Sequence, residues 1–157
     1  PWDISTGTST GTSYDPTTQV TETSALSFNS DGDKMYIGCI TTDSIYQYSL
    51  SPAWDISTAT YDTKSLDVSN EDGGMRAIHF NSDGTRLYMV GFSTDTIYTY
   101  DLSIPWDISS AVANTDNKLD ISGQATVPSG IFVDESQGVL YITNDSNDSG
   151  YQYNLTA

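Results

Sequence analysis

One segment near the C-terminal end of the chain has the residue types of a cation site. Oxygen-bearing side chains stand at alternate positions, Asp145, Asn147 and Ser149, and Gly150 follows them. Calcium prefers oxygen ligands, and this spacing matches the first half of a calcium-binding loop. The acid expected six positions later is replaced by Thr156. Calcium is therefore the one cofactor that the sequence suggests, and we otherwise expect none.

Two other side chains could act on a ligand. His79 is the only histidine of the chain, and Arg76 precedes it by three positions. A histidine can transfer protons, but one histidine without an obvious nucleophile and acid beside it does not make a catalytic set. We expect His79 to be a buried histidine with a hydrogen-bond partner. Arg76 is an isolated cation that could meet an anionic ligand.

A tryptophan beside an aspartate occurs three times, in the motif Trp-Asp-Ile-Ser that begins at Trp2, Trp54 and Trp106. Packing between neighbouring sheets, with the aspartate capping the adjoining turn, is our first interpretation. A sugar site between repeats is the alternative, because aromatic faces stack on sugar rings and carboxylates accept their hydroxyl groups.

The tryptophan motif marks an internal repeat that runs through the whole chain. Successive copies are 52 residues apart, and the sequence NSDG at Asn29 recurs 52 positions later at Asn81. The offset becomes 53 from Leu119 onwards, so one residue is inserted between Trp106 and Leu119. We divide the chain into three repeats that form one propeller segment, at about 1–52, 53–104 and 105–157.

Equivalent positions in the repeats weaken two of the site hypotheses. The position of His79 is occupied by Ser27 in the first repeat and by Phe132 in the third. The acidic turn that contains the calcium-like spacing also has an aspartate in every repeat, which favours a turn-capping role. These aspartates are Asp43, Asp95 and Asp148.

Within each repeat, polar and apolar residues alternate as they do in β-strands. In the second repeat, strands are predicted from Arg76 to Phe80, from Arg86 to Gly91 and from Thr96 to Leu102. The Asp-Gly of the turn Asn81–Gly84 suits a hairpin, and a fourth strand follows Trp106. No window has helical spacing. Four strands per repeat of about 50 residues are typical of a propeller blade.

The segment PSGIFVDESQGVLYITN, residues 128–144, resembles blades of the NHL and YVTN types of β-propeller. It has an inner strand, an Asp/Gly hairpin and a tyrosine-containing second strand. The resemblance implies an all-β fold with three four-stranded antiparallel blades in the chain. Propellers of these types include enzymes, adhesins and protein-binding platforms, so the resemblance indicates a fold and no particular activity.

Three blades do not complete a propeller ring, which needs four or more. If one chain followed another, Leu155 would precede Trp2 by the same four positions that separate Leu50 from Trp54. We therefore predict that strand exchange between copies closes the ring. A homodimer with six blades is our first expectation and a trimer with nine is the second. The alternative is an excerpt from a longer array of blades.

Composition limits the partners. The 157 residues include 5 Lys and Arg against 21 Asp and Glu, which gives a net charge of −16. A nucleic-acid partner is excluded, because phosphate backbones require clustered cations. No apolar run approaches the length of a membrane span, so we expect no membrane insertion. The acidity favours an extracellular or virion-associated protein. Cys39 is the only cysteine and is expected to be a small buried side chain.

These observations lead to an expected function. We expect six residues of the inner strands to line the channel, and none of them is a carboxylate: Ala25, Ser27, Ala77, His79, Gly130 and Phe132. We therefore predict that the chain is not an enzyme. It would be a binding or scaffold protein, an adhesin or structural component whose loops contact a protein or glycan. The alternatives are a multivalent carbohydrate-binding lectin and a calcium-dependent hydrolase or lactonase.

Overall fold

The described residues form eleven β-strands in three antiparallel sheets. A computed structural model describes residues 3–156. The first sheet contains β1 (Thr23–Phe28), β2 (Lys34–Cys39), β3 (Ser44–Ser49) and β4 (Thr60–Asp67). The second contains β5 (Met75–Phe80), β6 (Arg86–Gly91), β7 (Thr96–Leu102) and β8 (Ala111–Asp120). The third contains β9 (Pro128–Asp134), β10 (Val139–Asn144) and β11 (Ser149–Asn154). Strands that follow one another in the chain pair within each sheet.

This arrangement confirms the all-β prediction and is that of a partial propeller, in which each sheet is a blade. The third blade differs from the expected four strands, because it has only three among residues 3–156. Each fourth strand comes from the beginning of the following repeat, and β11 is followed by only two described residues. No helix within the described part of the chain is long and apolar enough to cross a membrane.

Side chains on both faces of the second blade pack against neighbouring blades. On one face, the ring of Phe80 lies 4.5 Å from that of Tyr36 on the first blade. On the other face, the Nε2 atom of His79 lies 3.0 Å from the carbonyl oxygen of Val133 on the third blade. The prediction that Ala77 and His79 line the channel is therefore wrong, because both pack towards the third blade. Side chains of a strand stand perpendicular to its sheet, so residues on both faces point at neighbouring blades.

The first blade has a different cover on its outer face. Residues that precede β1 lie across it, with Val20 buried and the ring of Tyr14 packed edge-on against Tyr48 at 5.2 Å. Leu26 is exposed, because no blade covers this face within residues 3–156. Cys39 is fully buried in the same cluster, as predicted.

The Trp-Asp-Ile-Ser motifs form short 3₁₀ turns, at Ile4–Thr6, Ile56–Thr58 and Ile108–Ser110. The aspartate before each turn accepts a hydrogen bond from the backbone N–H of the serine two positions later, which confirms the predicted capping role. These aspartates are Asp3, Asp55 and Asp107.

The tryptophans of the second and third motifs lie against the first hairpin of their own blade, between β1 and β2 or between β5 and β6. Trp54 and Trp106 have φ angles of 66° and 63°, which bulky residues rarely adopt. Each donates its backbone N–H to a hairpin glycine, Gly32 or Gly84, and its indole fills the space that a Cβ there would need. Glycine is therefore required at both hairpins. Trp2 lies outside the described residues.

Candidate active site at one end of the channel

A β-bulge occurs at the beginning of each inner strand. The strand register shifts there, so that one residue per blade has no partner on the neighbouring strand. These extra residues are Ser24 in β1, Arg76 in β5 and Ser129 in β9. A bulge turns its side chain away from the regular alternation, and bulges are frequent next to active sites. Because β5 contacts both β1 and β9, the three bulges lie at the same end of the channel.

Arg76 is placed to bind an anion. Its guanidinium carbon lies 4.5 Å from the centre of the Phe92 ring, in a cation–π contact that holds the side chain. Its Nε atom is buried and has no hydrogen-bond partner. No carboxylate within residues 3–156 forms an ion pair with Arg76. In a chain with 21 acidic residues, an arginine without a carboxylate partner is available for an anionic ligand.

The third blade places a carboxylate at the same end. Asp145 follows β10 as Phe92 follows β6, so the two residues are equivalent in the repeat. The Oδ1 atom of Asp145 accepts a 2.6 Å hydrogen bond from the hydroxyl of the bulged Ser129. Its Oδ2 atom has no partner among the described residues, and the side chain is exposed. An oriented carboxylate with a free oxygen can accept a proton from water.

The three predicted calcium ligands do not converge. Asp145 points to Ser129, whereas the side chain of Asn147 accepts a 2.8 Å hydrogen bond from Asn144 and donates one of 2.7 Å to Tyr151. Ser149 donates to the backbone carbonyl of Asn147 at 3.1 Å. Across residues 3–156, no three His, Cys, Asp or Glu side chains form a group suited to a metal ion. Calcium binding stays an untested prediction.

His79 lies between the second and third blades. The carbonyl of Val133 can only accept, so the Nε2 atom of His79 carries the proton in this contact. The edge of its ring packs against Phe132, with centres 5.0 Å apart. Burial lowers the pKa of His79, and the contrary effects of the Val133 carbonyl and the Glu135 carboxylate do not reverse this direction. His79 is therefore a neutral contact between blades.

We expect the buried neutral His79 to make stability depend on pH. Its pKa in the folded chain is below the ordinary 6.5, so protons bind the unfolded chain first. The contribution of neutral His79 to the free energy of unfolding is therefore fully present above about pH 6.5. It is lost progressively at lower pH, by at most about 1.4 kcal/mol per pH unit for one proton. Urea unfolding at several pH values should show a smaller loss for His79→Gln than for the unchanged chain. Equal slopes for both would contradict this assignment.

The described tryptophans lie outside this end of the channel. Trp54 and Trp106 pack against Phe28 and Phe80, with ring centres 5.6 and 5.3 Å apart. Arg76 and Asp145 were predicted from the sequence as parts of separate sites, and Ser24 and Ser129 were not predicted. Equivalent positions in the repeats could have shown the set, because Arg76 aligns with both serines and Phe92 aligns with Asp145.

Known proteins resemble this chain in structure. No family model and no curated protein matches it. A structure named as a candidate 6-phosphogluconolactonase from Bacteroides uniformis superposes with a TM-score of 0.63 at 13% identity, over 85% of this chain and 37% of that one. One with the same designation from Bacteroides fragilis has a TM-score of 0.57 at 14% identity, over 82% and 33%. A chain of a nidogen/laminin complex has a TM-score of 0.56 at 19% identity, over 83% and 42%.

The present chain thus spans about a third to two fifths of each of these structures. Likeness at this level of identity shows the fold. The predicted function was nevertheless wrong where it excluded catalysis. Two of the similar propellers carry the name of a lactonase, which contradicts both the non-catalytic scaffold and the expectation that the chain is not an enzyme.

Proposed function

We propose that this chain is part of a propeller hydrolase that opens lactones, with Arg76 and Asp145 in its active site. The observation that carries the proposal is their placement. A bulged arginine without a carboxylate partner and a carboxylate held by a bulged serine belong to adjacent blades at one end of the channel. The name shared by the two Bacteroides structures supports this choice of reaction.

The proposed reaction adds one water molecule to a cyclic ester. The Oδ2 atom of Asp145 accepts a proton as the water oxygen bonds to the carbonyl carbon. The bond from that carbon to the ring oxygen then breaks, and the ring oxygen takes the proton from Asp145. The product is a hydroxy acid, which contains all atoms of the lactone and the water. Ser129 orients the carboxylate throughout by its hydrogen bond to Oδ1.

Arg76 determines the substrate class in this proposal. Its guanidinium can form paired hydrogen bonds to a phosphate or carboxylate, and Phe92 holds it in place. An anionic substrate would otherwise be repelled by a chain with a net charge of −16. We therefore assign an anionic sugar lactone as the substrate. Asp145 and Ser129 both offer oxygen atoms to a cation, so calcium is a variable of the assay.

The complete ring is the second part of the proposal. We assign the chain to the NHL or YVTN type of propeller on the blade pattern of residues 128–144. We propose that a second copy closes the ring, with six blades in a homodimer. The support is that the third blade lacks a fourth strand among the described residues, while the outer face of the first blade leaves Leu26 exposed.

Acid release measured at constant pH tests the proposed reaction. We expect the protein to hydrolyse 6-phosphogluconolactone faster than the uncatalysed background and faster than gluconolactone without the phosphate. The assay is run with added calcium and with a chelator. The variant in which both Arg76 and Asp145 are replaced serves as control for contaminating activity. No acceleration of either lactone, with or without calcium, would refute the proposal.

A further inference from the structure

The motif turn of the second blade is bound by the first blade. Ile108 is 0% exposed and belongs to the apolar cluster between the two blades. The hydroxyl of Tyr36 donates a 2.7 Å hydrogen bond to the carbonyl oxygen of Trp106. The backbone N–H of Ile108 donates one of 3.1 Å to the side-chain oxygen of Gln47. The first blade thus has a specific site for this turn.

An ion pair completes that site. The Nζ atom of Lys64 on β4 lies 2.7 Å from the Oδ2 atom of Asp107. Burial alone would raise the pKa of Asp107, but the hydrogen bonds from Lys64 and Ser109 hold it below its ordinary value. A lysine from one blade and the capping aspartate of the next are therefore paired in their charged forms.

A cavity of about 640 Å³ lies at the equivalent place between the second and third blades. Its walls contain the repeat counterparts of residues that enclose or contact the Ile108 turn. On the second blade these are Tyr88 for Tyr36, Ile97 for Ile45, Thr99 for Gln47, Asn117 for Lys64 and Leu119 for Leu66. On the third blade they are Leu140 for Leu87, Tyr153 for Tyr100 and Leu155 for Leu102. The cavity thus repeats the apolar part of the filled site.

The cavity differs from the filled site in the position of its lysine. Asn117 replaces the lysine of the filled site, but the next residue, Lys118, also lines the cavity. Lys118 forms no ion pair with any carboxylate of residues 3–156. Arg86, by contrast, forms two ion pairs. Its Nε atom lies 3.1 Å from Oδ1 of Asp101, and its Nη1 atom lies 3.5 Å from Oε1 of Glu135. The cavity therefore offers one cation to an acidic partner.

The first motif turn of the chain has the matching shape and chemistry. Ile4 is the repeat counterpart of Ile108, yet it is 96% exposed. Asp3 accepts a 3.0 Å hydrogen bond from the N–H of Ser5, as Asp107 does from Ser109 at 3.0 Å. The first turn thus has the same motif and the same capping bond as the Ile108 turn, but its isoleucine is exposed to water. In the chain this turn precedes β1 of the first blade, so it does not belong to either blade that forms the cavity.

We propose that the cavity between the second and third blades binds the turn of residues 3–6 of a second copy of this chain. Ile4 takes the place that Ile108 has in the filled site, and Asp3 pairs with Lys118. The inference rests on the ring closure proposed above and assigns its contact. Burial of an isoleucine and a new ion pair both favour the assembled ring.

Light scattering after size exclusion tests the contact. The unchanged protein should have at least twice the 17.0 kDa mass of one chain. Ile4→Asp should weaken assembly at least tenfold and give single chains, because the carboxylate would enter an apolar site. Ile4 is exposed in the chain, so its replacement removes no internal contact. Thr8→Asp adds the same charge at an exposed position outside the turn and should leave the mass unchanged.

A charge exchange gives a second measurement. Lys118→Asp should weaken assembly, and combining it with Asp3→Lys should restore the mass, since the pair is re-formed with reversed signs. An Ile4→Asp protein that keeps the mass of the ring would overturn this contact and leave ring closure standing. A single-chain mass for the unchanged protein would overturn both. Lactone hydrolysis in the same samples is scored separately, because Arg76 and Asp145 belong to one chain.

Discussion

Arg76→Gln should raise the KM for an anionic lactone about tenfold to a hundredfold, with little change in the KM for a neutral lactone. A hydrogen bond to an ionised group contributes about 1.5–3 kcal/mol, which corresponds to that range. The guanidinium has no carboxylate partner within residues 3–156, so its loss removes binding to the substrate and breaks no ion pair of the fold. Initial rates for the phosphorylated and the unphosphorylated lactone give both constants.

Two variants control the interpretation. Arg76→Lys keeps the charge but loses the paired donors, and it should recover part of the affinity for the anionic lactone. Asp145→Asn should instead lower kcat about a hundredfold or more, with a small effect on KM, because it removes the proton acceptor. If Arg76→Gln raised the KM of both lactones equally, the arginine would act through the fold and not through the anion.

The repeat made much of the fold predictable. The strands Arg86–Gly91 and Thr96–Leu102 are found where the alternation of polar and apolar residues places them. The capping aspartates are also found at their turns, because an Asx cap depends on neighbours within three positions. Signals that act over such short distances can be read from one sequence.

The candidate site could not be predicted in the same way. The bulge at Arg76 arises from the register between β5 and β6, which no local pattern states. The placement of His79 between blades depends on the third blade packing against the second, so its predicted position in the channel was wrong. The activity was harder to predict than the site, because enzymes and binding proteins share the same propeller fold.

One buried carboxylate in the second blade connects the loop before β5 to the turn after β6. Asp72 is 1% exposed and lies between the loop before β5 and the turn after β6. Its Oδ1 atom accepts the backbone N–H of Gly74 at 2.7 Å. Its Oδ2 atom accepts the N–H and the hydroxyl of Thr94 at 2.9 and 2.6 Å. A Cβ at Gly91 would overlap this carboxyl group, so the arrangement requires glycine there.

In the third blade the equivalent loop and turn are connected by a side chain at the end of β10, and not by one in the loop before β9. Ala125 is the counterpart of Asp72, and Asn144 is the counterpart of Gly91. The Oδ1 atom of Asn144 accepts the N–H of Val127 at 2.8 Å, which is the counterpart of the Gly74 bond. Its Nδ2 atom donates to the side chain of Asn147 at 2.8 Å, where Asp72 reaches Thr94. The second blade thus has a polar residue before its inner strand and a glycine at the end of its second strand. The third blade has a small residue at the first position and a polar residue at the second, and each polar side chain connects the loop to the turn.

This difference between the second and third blades leads to a stability prediction. Asp72→Ala should lower the free energy of unfolding by about 3 kcal/mol, because it leaves buried N–H donors without an acceptor. For a chain of this size that loss corresponds to a fall in Tm of about 6–12 °C. Adding Gly91→Asn should recover at least half of the loss, since the second blade then has the residue pair of the third. Urea unfolding measures both variants.

Gly91→Asn alone completes the cycle. With Asp72 still present, the new side chain meets the carboxyl group and should destabilise the chain, because the buried space is already filled. The two single losses should therefore exceed the loss in the double variant by about 2 kcal/mol or more, which is the coupling expected of residues in direct contact. Simply additive losses would show that Asp72 and residue 91 do not act on the same loop and turn. The similar hydrogen bonds of the second and third blades would then have no energetic counterpart.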